Sequence, residues 1–72
     1  LDIENNKKLS DYYFNNKQYD EAFSLILDLF IKTKKENRSK LKKTLISYFR
    51  VLGDTHEKTI GYRKKLSSII FS

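Results

Sequence analysis

The single histidine of this sequence, His56, stands beside Asp54, Thr55 and Glu57. Nucleophilic or acid–base chemistry would need a nucleophile within reach of the imidazole and a third group to orient it. No companion motif supplies them, so His56 reads as a residue in the first turn of a helix. Metal chemistry fares no better. There is one His, no Cys, and no set of acids at ligand spacing. No glycine-rich loop is present to cradle a phosphate. Asp11, Asp20, Glu21 and Asp28 read as solvated helix faces and helix-dipole partners, not as an acid–base pair. The expectation is a non-enzymatic chain with no catalytic residues and no cofactor.

The elements that would carry any site are helices. The chain has no Pro and two Gly, and it is rich in Leu, Lys, Ile and Phe. At 72 residues it is one domain at most. A chain this short buries only about 60% of its unfolded surface, so the core is small. No stretch nears the ~20 apolar residues that span a bilayer, and no membrane role is expected. The first residue is Leu, which prompts the expectation of a piece, residues 1–72, from the C-terminal part of a longer protein.

Leu9, Tyr12 and Tyr13 fall at i, i+3 and i+4, which predicts a first helix with its apolar face starting near Leu9. Residues 15–18 read as a turn, since Asn tolerates the left-handed backbone that ends helices. A second helix, Tyr19–Lys32, follows. Acids Asp20 and Glu21 sit at its start, and Lys32, Lys34 and Lys35 at or just past its end, as the helix dipole favours. Residues 22–31 are apolar except Ser24 and Asp28, so this helix should be buried on more than one side and act as the central element. Asn37 or Ser39 is the candidate cap of a third helix. Leu41, Leu45, Tyr48, Phe49 and Leu52 give that helix the cleanest amphipathic stripe in the chain, and Gly53 stops it. Asp54 and Glu57 fit a capping box for a fourth helix with Tyr62, Leu66, Ile69 and Ile70 on one face. Gly61 inside that helix weakens it by roughly 1 kcal/mol, which suggests close approach by a neighbouring helix. The expected fold is all-α, with four antiparallel helices forming two helix hairpins.

The net charge of +6 has two explanations. It can mark an acidic partner such as nucleic acid. It can also be compositional, because Lys outnumbers Arg twelve to three and Arg is the better phosphate reader. The run of residues 32–43 holds seven basic residues and one acid. The aromatics fall on apolar faces and not among these cations, so base stacking is disfavoured and nucleic acid is not the expected partner. The tail, residues 67–72, ends in Ile69, Ile70 and Phe71; it can close its own bundle, the default, or enter a partner's groove.

Leu9, Ser10, Tyr13, Tyr19 and Ala22 have the spacing of a tetratricopeptide-type hairpin, in which small residues let two helices approach. Leu29 stands where a small residue is usual and Lys34 where Pro is often found. The pattern does not recur at 34 residues in the second half. Residues 43–55, from Lys43-Thr44-Leu45 through Leu52-Gly53-Asp54-Thr55, together with Tyr62-Arg63-Lys64-Lys65-Leu66-Ser67-Ser68-Ile69-Ile70-Phe71, resemble the C-terminal end of the bacterial thioredoxin-like chaperedoxin family. Glu57, Lys58 and Thr59 depart from that family, which often has Pro and apolar residues there. The resemblance implies a cytoplasmic co-chaperone whose protein partners are unfolded clients and the chaperonin. It places Tyr62, Arg63, Leu66, Ile70 and Phe71 as partner-binding residues. The alternative function is a basic helical nucleic-acid-binding domain.

Overall fold

Asp2 opens the first helix. Its carboxylate accepts a hydrogen bond from the Asn5 backbone N–H at 3.0 Å, satisfying a donor that no helical carbonyl reaches. In the computed structural model, which describes residues 2–71, α1 therefore spans Ile3–Asn15 and begins well before Leu9. Its core face also differs from the expected stripe. Ser10 and Phe14 are buried and Ile3 packs on the core, whereas Leu9 and Tyr12 face solvent and Tyr13 lies at the margin. The chain turns at residues 16–18, where Lys17, not an Asn, takes the left-handed backbone, with φ 63°.

The second helix, α2, spans Tyr19–Lys32, as the sequence predicts. It buries Ala22, Phe23, Ile26, Leu27, Leu29 and Phe30, and it touches each of the other three helices. A 3₁₀ turn, Lys35–Asn37, leads to α3, Ser39–Leu52. Neither Asn37 nor Ser39 caps α3: the residue before the helix is Arg38, and it makes no side-chain cap. Arg38 instead closes the end of α2. Its Nε donates to the Thr33 carbonyl at 3.0 Å, and its guanidinium lies 4.7 Å above the Phe30 ring.

Leu41, Leu45, Tyr48 and Phe49 of α3 are all buried, with Leu52 packed at the edge. Gly53 ends the helix with φ 95°, a region that a side chain strains to enter. The last helix, α4, spans Glu57–Ile70. The expected Asp54–Glu57 box does not form. Two more turn residues intervene, and His56 is the cap, its Nδ1 accepting from the Lys58 backbone N–H at 3.1 Å. The fold is thus all-helical, with two hairpins, α1–α2 and α3–α4, and no strand among the described residues.

Phe23, fully buried on α2, is the hub of the core. It stacks on Tyr62 of α4 at 4.4 Å and on Phe49 of α3 at 5.4 Å, and meets Tyr48 and Phe14 edge-on. One ring therefore joins all four helices.

Candidate functional site

Most polar residues with chemical potential are spent on the fold. Ser10 Oγ donates to the Ala22 carbonyl at 3.0 Å and lies 2.8 Å from the Tyr48 hydroxyl. That hydroxyl donates to Asp11 at 2.6 Å. Burial, and then the Asp11 carboxylate, push the Tyr48 phenol well above its usual range, so it stays protonated as a donor. Asp20 binds α2 to α4: Lys58 reaches it at 2.8 Å and the Tyr62 hydroxyl donates to it. The Lys58 ammonium, followed by the Tyr62 hydroxyl, holds the Asp20 carboxyl below its ordinary value. Stability from this contact is therefore present above the unfolded carboxylate range and fades as pH falls through the lowered folded value. His56 touches Tyr19 edge-on and caps α4. Among the described residues no group of three His, Cys, Asp or Glu could hold a metal ion.

The five predicted partner-binding residues divide. Tyr62 is buried against Phe23 and turns its hydroxyl to Asp20, on the α2 side of α4. Arg63, Leu66, Ile70 and Phe71 line one groove between α3 and α4, of about 550 Å³. The tail therefore does not simply close its own bundle. Leu66 is buried, but Ile70 is 41% exposed and Phe71 is 85% exposed.

The opposite wall comes from α3, with Lys42, Ile46 and Arg50, and the buried Phe49 of the same helix lies at its foot. Sequence reasoning missed this wall. The available signal was Ile46, an apolar residue off the main stripe of α3 and followed one turn later by Arg50. The groove floor is apolar and its rim is cationic. Arg63 leans 5.3 Å over the Phe49 ring and meets Asp54 at 3.2 Å, so its guanidinium is held along the wall. Such a surface can bury a partner's apolar side chains while cations steer its approach.

Ser10 and Ala22, each 0% exposed, do what the hairpin spacing demands and lie between α1 and α2, the most extensively packed helix pair of the molecule. Gly61 does not. A Cβ placed there would meet nothing within 4 Å among the described residues, so no helix exploits it. A family model described as tetratricopeptide repeat matches residues 1–71. No curated protein and no solved structure matches the chain.

Proposed function

The chain belongs to the tetratricopeptide repeat family, and from that membership we propose that it binds protein partners through the groove between α3 and α4. Tetratricopeptide-like repeats are generally protein–protein interaction modules. The observation that carries the proposal is the convergence of Arg63, Leu66, Ile70 and Phe71 with Ile46 and Phe49 on one open cleft. Exposed apolar groups gathered in a concave surface gain free energy when a partner covers them.

The fuller form of the proposal follows the chaperedoxin resemblance of residues 43–71. In it the module is the C-terminal part of a cytoplasmic, thioredoxin-like co-chaperone that holds unfolded clients and docks on the chaperonin. Its work is non-catalytic, by burial of apolar side chains. No helix among the described residues is long and apolar enough to cross a membrane. Deleting residues 70–72 removes the groove's end while sparing the buried core. The truncated chain should lose binding to purified chaperonin and to a reduced, unfolded model client, with its far-ultraviolet circular dichroism nearly unchanged. Undiminished binding to both would remove the groove from the interaction.

A further inference from the structure

We propose that the α3–α4 groove receives an amphipathic helix with acidic flanks, contributed by a partner protein; this rests on the groove being the contact surface. The first support is shape. The chain itself shows what the side of a helix hairpin accepts: α3 lies against both α1 and α2. There it stacks Tyr48 on Phe14 at 4.2 Å and Phe49 on Phe23 at 5.4 Å. The α3–α4 cleft repeats that kind of surface one hairpin further along. Phe49 and Leu66 form its floor and Ile46, Ile70 and Phe71 its walls. A concave cleft between two helices fits a third cylinder of side chains, about 10–12 Å across, better than it fits a flat lipid surface.

The second support is charge. Lys42, Arg50 and Arg63 stand on the rim, and the one carboxylate lining the groove among the described residues, Asp54, is already engaged by Arg63 at 3.2 Å. A guanidinium carries five N–H donors in a planar fork, and Asp54 takes one hydrogen bond from it. Glu or Asp side chains flanking an incoming apolar stripe would meet cations on both walls, Lys42 and Arg50 on α3 and Arg63 on α4. A second copy of this chain would oppose cation to cation across the same cleft, which disfavours self-association.

Three fluorescently labelled synthetic helices test this, sharing one apolar stripe and flanked by Glu, Ser or Lys. Fluorescence anisotropy at low salt should show the Glu helix binding about tenfold or more tighter than the Ser helix, with the Lys helix weakest. The gap should shrink as salt rises. Reversing two exposed rim charges together, Lys42→Glu and Arg50→Glu, should invert the order. Phe71→Asp should weaken the Glu and Ser helices, which lose an apolar wall, and the Glu helix most. Circular dichroism confirms that each variant is folded. Equal binding of the Glu and Ser helices, or no binding by any, would overturn the acidic helix. Loss of unfolded-client binding in Phe71→Asp would still uphold the groove itself. Peptide binding indifferent to Phe71→Asp would remove the groove and the helix together. Two other results would replace the proposed occupant. One is Phe71-dependent capture by phosphatidylserine–phosphatidylcholine vesicles without peptide preference. The other is a Phe71-dependent dimer in sedimentation.

Discussion

The two hairpins are built from helices of 13 and 14 residues and of 14 and 14, yet they close by different chemistry. Between α1 and α2 the small residues Ser10 and Ala22 meet, and the Ser10 hydroxyl bonds the opposing backbone and the Tyr48 phenol. Between α3 and α4 the contact is looser. Thr59 of α4 is 0% exposed, but its hydroxyl has no hydrogen-bond partner among the described residues. Apolar groups that would seal a tighter pair, Ile46, Ile70 and Phe71, stay partly in solvent. A helix pair with satisfied polar atoms at its closest approach can act as a scaffold. A pair docked onto that scaffold by only some of its faces keeps a face to offer.

The sharpest way to break this contrast is to remove the scaffold's hub. Phe23→Ala deletes the ring that stacks on Tyr62 and Phe49 and leaves a cavity between all four helices. A loss of about 3–5 kcal/mol is expected. A chain of 72 residues has about 4–11 kcal/mol to lose. Urea denaturation followed by circular dichroism should show the variant largely unfolded or with a much lowered midpoint. A near-wild-type midpoint would mean that the second hairpin stands on its own packing.

A matched pair of hydroxyl deletions compares a buried hydroxyl from each hairpin. Ser10→Ala removes a buried group with partners on α2 and α3, and should destabilise by about 1–2 kcal/mol. Thr59→Val removes a buried hydroxyl with no such partner and keeps its shape, so it should be neutral or stabilise by up to about 1 kcal/mol. The same sign for both would erase the distinction.

Where the sequence was legible, one physical signal dominated. The run through α2 could be bounded because charge marks its start and end and nearly every interior residue is apolar, and Gly53 marked the end of α3 by its backbone freedom. The α1 face was misread because hydrophobicity ranks Leu9 and Tyr12 above Ser10. Ser10 goes inside because its hydroxyl is satisfied there and its small size lets α2 approach. The cap of α4 was misplaced for a related reason: Asp54 has the right type, but Gly53 delays the helix until His56 can cap it. The groove was half legible. Its α4 side follows from the tail, whereas Ile46 and Arg50 join it only through the placement of α3 against α4, which no local pattern encodes.

Gly61 tests the last helix of the second hairpin at about the 1 kcal/mol level. If a helix crossed closely at this position, a methyl group would collide. With nothing near it, Gly61→Ala should simply raise helix propensity and stabilise by about 1 kcal/mol. That corresponds to a gain of roughly 4–8 °C in Tm for a domain of this size. Thermal unfolding is sufficient to read it, and a lower Tm would mean that a neighbouring group lies closer to Gly61 than the open space beside it allows.

The smallest expected change in stability is the most telling for function. Phe71 is 85% exposed and lies one residue beyond α4, so Phe71→Asp removes almost no buried surface. The carboxylate would, however, sit at the negative end of the α4 dipole, a slight penalty that the nearby basic rim offsets. The midpoint of denaturation should move by no more than about 0.5 kcal/mol. Binding of an acidic helix should fall far more, because the substitution places a like charge beside the incoming flank and strips an apolar wall from the cleft. A residue that matters to the complex and not to the fold is what separates a surface kept open for a partner from an imperfectly closed core. A large loss of stability in Phe71→Asp would assign the α4 end to the core after all.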